Sequence, residues 1–269
     1  MRDLIMFGTG SAMVTHCFNT CFALHLENDE YFMVDAGGGN GILQQMEKAK
    51  IDSKTIHHMF VTHSHTDHVL GVIWVIRKIA TLMNQGKYES DFHIYCHDVV
   101  RDILLTMTKL TLKEKDFAQI GQRIFFHEIK DGDKISVLGM EITAFDILST
   151  KAKQFGFTAV FADGMKIACL GDEPYNEHCH DLVKEADWLF SEAFCLYSDR
   201  DTFKPYEKNH STVKEASETA QSLEAKNLVL YHTEDKNMSK RKENYTNEAR
   251  MYYKGNVFVP EDLEVISLQ

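Results

Sequence analysis

Residues His63, His65, Asp67 and His68 place three imidazoles and a carboxylate within the six-residue run His63-Ser64-His65-Thr66-Asp67-His68. Imidazole and carboxylate are the donor types that suit zinc and other borderline divalent ions. The run follows an apolar stretch, Ile56 to Thr62, that reads as a buried strand ending at the motif. In a turn beyond that strand, His63 and His65 can face one way and Asp67 and His68 another. That arrangement would supply two adjacent metal positions. A solvated polar loop is the alternative, and the density of candidate ligands favours a metal.

Further polar residues adjoin apolar runs elsewhere in the chain. Cys169-Leu170-Gly171 leads into Asp172, Ser191-Glu192 opens Ala193-Phe194, and Leu228-Val229-Leu230-Tyr231 leads into His232. Asn209-His210-Ser211-Thr212 stands between them, and Phe32-Met33-Val34 runs into Asp35 and a glycine-rich turn.

Taken together, these segments resemble the metallo-β-lactamase superfamily, and in particular its ribonuclease Z branch. Phe7-Gly8-Thr9-Gly10-Ser11-Ala12 and Asn19-Thr20-Cys21 resemble the opening of that branch, and His210-Ser211-Thr212 its His-Ser-Thr element. The order and rough spacing hold from residue 4 to residue 235. The resemblance implies an α/β fold, a four-layer αβ/βα sandwich, in one domain over residues 1–269. It implies one metal position at His63 and His65 and another at Asp67, His68 and His232, with Asp172 bridging them. Asp67 and His210 become the candidate catalytic residues. The implied cofactor is Zn2+, as one or two ions, with Mn2+ or Fe2+ as alternatives.

In that family, paired ions activate a shared hydroxide that attacks phosphorus or a carbonyl carbon. The histidine of His-Ser-Thr donates a proton near the leaving group, a role its titration range suits. The alternative for His210 is a plain helix start, with Ser211 capping a helix that begins there. Glu192 would orient such a histidine or would be a surface glutamate. Asp35 would orient the motif loop or would simply be a turn residue.

The chain departs from the family at one place. The resemblance calls for another histidine ahead of Gln154-Phe155-Gly156-Phe157, yet Asp146-Ile147-Leu148-Ser149-Thr150 holds none. Asp146, Ser149 or a residue from elsewhere would have to substitute, or the His63/His65 position is left short of a ligand. Lys151 and Lys153 beside this window would meet a substrate phosphate or carboxylate, or remain solvated.

The implied reaction is metal-dependent hydrolysis of a phosphodiester in a small-molecule or nucleotide substrate. The long arm that grips transfer RNA in bacterial ribonuclease Z would fall between Thr150 and Asp172, where only 21 residues lie, which argues against transfer RNA. The alternative is a catalytically weak metal-binding or ligand-sensing protein on the same scaffold. A homodimer is compatible with either.

Composition is consistent with this. The chain has 269 residues and 44% hydrophobic content, enough for a large core. A net charge of −11 argues against broad nucleic-acid binding, which relies on neutralising phosphates. The six cysteines form no CxxC pair, and the start of the chain lacks signal-peptide character. No run approaches the roughly 18 apolar residues of a membrane span, so no membrane partner and a cytoplasmic setting are expected.

These residues must be positioned by elements the pattern predicts. Strands are expected near 3–7, 20–27, 31–35, 57–62, 92–96, 124–126, 140–147, 156–161, 165–170, 188–190 and 227–231. Helices are expected over 41–48, 71–84, 98–115, 177–186 and 211–224. Val99, Ile103, Leu104, Met107 and Leu110, with Leu112 as a further candidate, are expected to share the apolar side of the third helix. Residues beyond 235 are charged and predict a short extension.

Overall fold

The computed structural model describes residues 2–26 and 29–269. The chain divides into two compact units: Met1–Gly8, Phe18–Ile129 and Asp262–Gln269 form the first, and Thr9–Cys17 with Lys130–Glu261 the second. No helix among the described residues is long and apolar enough to cross a membrane.

In the first unit the strands are β1 (Asp3–Gly8), β2 (Cys21–His25), β3 (Tyr31–Val34), β4 (Ile56–Val61), β5 (Phe92–Cys96) and β6 (Ile124–Glu128). Its helices are α1 (Gly41–Lys48), α2 (Thr66–Asn84), α3 (Asp98–Thr111) and α4 (Glu114–Phe117). The terminal strand Val265–Ser267 adds to β1, and the sheet runs on in order from β1 to β6. Pairing is antiparallel as far as β3 and parallel from β3 to β6. β4 is apolar and buried from Met59 to Val61, as the part of a strand covered on both faces must be. Met59 and Val61 join Ile76, Ile79 and Ala80 of α2 in the core of this unit.

The second unit holds β7 (Lys134–Val137), β8 (Met140–Asp146), β9 (Phe155–Phe161), β10 (Lys166–Cys169), β11 (Trp188–Glu192), β12 (Asn227–Tyr231) and β13 (Asn256–Phe258). Its helices are α5 (His180–Val183), α6 (Arg200–Phe203), α7 (Val213–Ser222) and α8 (Met238–Tyr252). The sheet order is β13-β12-β11-β10-β9-β8-β7. It is parallel from β10 to β13 and antiparallel from β7 to β10. Ala216 and Ala220 of α7, with Tyr245 and Ala249 of α8, cover Leu189, Leu228 and Leu230.

Several expected boundaries move. The second helix starts at Thr66 rather than 71, so Asp67 and His68 sit in its first turn. The third ends at Thr111, where Leu112 turns extended, and α4 is separate. Its buried stripe is Val100, Leu104 and Thr108, spaced at four; Val99 and Leu110 fall off that stripe and are 41% and 77% exposed. The expected helix over 177–186 reduces to a 3-10 turn and the one-turn α5, because Lys184 is extended and Glu185 is left-handed at φ 57°. The charged segment beyond 235 is structural. It supplies the 15-residue α8 and an edge strand to each sheet.

Candidate metal centre and proton donor

The ligand candidates of the first unit cluster at the C-terminal end of β4. Parallel strands commonly present ligand sites at this end. Asp35, just past β3, organises them from the left-handed conformation at φ 55°. Its Oδ1 accepts the Thr62 backbone N–H at 2.8 Å and its Oδ2 the Thr62 hydroxyl at 2.7 Å. Oδ2 also lies 2.7 Å from Nδ1 of His68. Pairing Nδ1 with a carboxylate fixes the tautomer and makes Nε2 the nitrogen that could ligate an ion, the usual support for a metal-binding histidine. That Nε2 lies 3.4 Å from Oδ2 of Asp67.

His63 is held by Thr62, whose Oγ1 is 2.9 Å from Nδ1 of the ring. Its Nε2 is 2.9 Å from Nδ1 of His65. Two imidazole nitrogens on one tetrahedral zinc would sit roughly 3.3 Å apart, given Zn–N bonds near 2 Å. Their convergence therefore fits a shared ion. Asp35, His63 and His68 also place ligand atoms within 4.8 Å of one another. His57 and His58 are taken up elsewhere: His57 meets Glu30 at 3.0 Å and His58 meets Tyr95 at 3.2 Å.

Gly71 allows this geometry. A Cβ there would stand 1.8 Å from the Ala36 carbonyl oxygen, so only glycine lets α2 lie against the Asp35 turn. The Gly71 N–H donates to Gly37 O at 2.8 Å, and Ala36 N–H donates to His68 O at 3.2 Å.

In the second unit Asp172 follows β10, Glu192 ends β11 and His232 follows β12, again at the C-terminal ends of parallel strands. Tyr231 ties two of these ends together by donating to Gly171 O at 2.7 Å. Asp172 Oδ2 and His232 Nε2 are 3.5 Å apart. His210 sits 5.1 Å from His232, ring centre to ring centre, and stacks on Phe194 at 5.1 Å with planes 12° apart. Glu192 is fully buried. One of its oxygens accepts the Ser211 backbone N–H, and the other lies 3.5 Å from His210 Nδ1. Thr212, rather than Ser211, caps α7, in a capping box with Glu215.

In the window without a histidine, both candidate substitutes make hydrogen bonds within the second unit. Asp146 accepts the Leu148 N–H at 2.8 Å as a turn residue. Ser149 donates to Glu173 at 2.6 Å. Lys151 is engaged as well, donating to Lys208 O at 2.9 Å, and Lys153 lies over the Phe155 ring. His16 is held by Asp235 at 3.0 Å, and Asp235 also accepts the Thr15 and His16 N–H groups. Glu173, Tyr231 and Asp235 escape a sequence reading because a lone acid or tyrosine carries no spacing signal.

The donor sets of the two units are the imidazole and carboxylate mixture that zinc, manganese or iron(II) prefers, and they fit a divalent ion. Comparison with known proteins agrees. The chain is 27% identical to the ribonuclease Z of Thermococcus gammatolerans over 86% of this chain and 84% of that one. It superposes on the metallo-β-lactamase fold protein YhfI of Bacillus subtilis with a TM-score of 0.79, 17% identity and 98% of both chains covered. It also superposes on the short form of human tRNase Z with a TM-score of 0.76, 24% identity and 99% of both chains covered. The expected α/β metallo-β-lactamase fold is therefore present, and the protein is a ribonuclease Z-like, metal-dependent hydrolase. The sequence model of the family described as anti-Pycsar protein Apyc1 matches residues 2–258, and the chain belongs to that family.

Proposed function

We propose that this hydrolase cleaves a small phosphodiester and that its two units act as one domain over residues 1–269. In this reading His63, His65, Asp67 and His68 of the first unit and Asp172 and His232 of the second hold zinc. The bound metal supplies Lewis acidity, which activates water and stabilises charge on a phosphoryl oxygen. Asp35 and Thr62 keep the imidazoles of His63 and His68 in their ligating orientation. Asp67, in the first turn of α2, adds negative charge where the helix dipole favours it.

His210 donates a proton to the departing oxygen. The observation that carries this role is its seat: stacked on Phe194, with Nδ1 facing the buried Glu192 carboxylate and the ring beside His232. With the carboxylate facing one imidazole nitrogen, the other nitrogen is left to face the substrate. A small substrate is favoured over transfer RNA by the net charge of −11 and by the compact segment between Thr150 and Asp172. A reducing, cytosolic setting fits six cysteines that form no disulfide among them.

The test is to strip the protein with chelator and reload it with zinc, manganese or iron(II). Each form is then assayed on bis-p-nitrophenyl phosphate, on small nucleotide diesters and on a transfer RNA precursor. Metal-dependent cleavage of the small diesters without precursor trimming is expected. Preferential trimming of the precursor would overturn the substrate size, and a fully loaded protein that cleaves no diester would favour the sensing alternative.

A further inference from the structure

Glu173 follows the candidate ligand Asp172 and is buried, at 4% exposure. Its two oxygens join two separate parts of the second unit. Oε1 accepts the Ser149 hydroxyl at 2.6 Å and lies 3.5 Å from the Lys151 ammonium. Oε2 accepts the Asn209 side-chain amide at 2.6 Å. Ser149 relays the order onward, because its Oγ accepts the N–H groups of Lys151 and Ala152 at 3.1 and 3.2 Å. Lys151 closes the ring by donating to Lys208 O at 2.9 Å, and the Asn209 amide reaches Thr150 Oγ1 at 3.3 Å.

This ring fixes the turn from which His210 projects. Asn209 is left-handed at φ 53°, a conformation asparagine adopts more readily than most residues with a side chain, and its amide is tied to Glu173 and Thr150. The Pro205 carbonyl accepts the N–H of both Lys208 and His210 at 3.0 Å, so the turn itself is tight. A buried carboxylate is strongly favoured here only with several donors around it, and Ser149, Lys151 and Asn209 provide them. The window that lacks a histidine is thus organised around a carboxylate.

We infer that Glu173 is a positioning residue for His210, clamping the 149–151 loop to the Lys208–Asn209 turn so that the imidazole is aimed at the leaving oxygen. This rests on the reading of His210 as proton donor. Glu173 touches neither substrate nor reacting atoms. Its effect passes through Asn209 and Lys208 to the next residue.

Two variants and one background test it. Glu173→Gln keeps the size and removes the charge. Asn209→Gly keeps the left-handed turn, which glycine adopts freely, and removes the clamping amide. In zinc-loaded protein each is expected to slow diphenyl phosphate cleavage about 10–100-fold, the usual cost of losing an orienting partner. Cleavage of bis-p-nitrophenyl phosphate, whose leaving group needs no proton, should change less than about threefold on the same grounds. Zinc content by plasma emission should be unchanged. In a His210→Ala background neither change should slow diphenyl phosphate cleavage further, because the residue they position is gone.

Equal losses on both diesters, or full additivity with His210→Ala, would overturn the inference and make Glu173 a general structural residue. If His210→Ala alone shows no leaving-group dependence, the proton-donor reading itself fails. If Glu173→Gln does not fold, Asn209→Gly decides the matter, since it spares the buried carboxylate.

Discussion

The Nδ1 of His68 lies 2.7 Å from the Oδ2 of Asp35, and the same carboxylate accepts both the backbone and the hydroxyl of Thr62. One side chain thus orients an imidazole of α2 and the residue before His63. Asp35→Asn preserves size and tolerates the left-handed backbone, but puts an amide nitrogen where an acceptor is needed. Zinc affinity should fall about 10–100-fold, measured by competition with a chromophoric chelator. An unchanged affinity would show that Asp35 shapes a turn and nothing more.

His68→Ala and Asp172→Ala are each expected to remove most bound zinc and all measurable diester hydrolysis. Each deletes a direct donor in the proposed set, and a site with fewer donors binds more weakly. Plasma emission analysis after gel filtration reads this directly. Full zinc content in either variant would mean that the ion sits elsewhere.

His210→Ala should retain zinc and slow cleavage of poor leaving groups by about 10²–10⁴-fold, the contribution of a positioned acid. The loss should shrink for p-nitrophenyl esters. Steady-state rates along a series of aryl diesters measure the trend, and a flat trend would exclude proton donation.

Gly71→Ala should destabilise the protein strongly, by about 2–4 kcal/mol, since backbone must move to admit the methyl group. The added carbon would sit 1.8 Å from Ala36 O, and its displacement would loosen both the Asp35 turn and the start of α2. Thermal melting and zinc titration should worsen together. A melt within a degree of the parent would show that α2 can slide freely.

Burial of His58, added to by neighbouring His93, His57 and His127, lowers its pKa to about 4 from 6.5. The unfolded chain therefore binds more protons between those values. The neutral ring's contribution is complete above about pH 6.5 and is lost as the pH falls toward 4. His58→Phe keeps a flat ring without the titration. Its urea midpoint should fall less between pH 7.5 and 5 than that of the parent. Parallel falls would place the acid sensitivity in other groups.

The proposed ligand set was legible in the sequence because imidazoles and carboxylates stand at strand ends, four of them at short spacing. His63, His65, Asp67 and His68 share six residues, and Asp172 and His232 each close an apolar strand. Apolar runs also marked the strands that carry them. Hidden was everything that depends on chain segments meeting across long separations. α8 reads as a charged tail because only Arg241, Tyr245 and Ala249 of it are buried. Yet Arg241 reaches Thr9 and Thr233, 232 and 8 residues away. Glu173 likewise looks like any surface acid until Ser149 and Asn209 close around it. Local pattern fixes which residues can ligate or form a strand. The burial of a single polar side chain is decided by what the fold brings beside it, since only there do distant donors replace the water it gives up.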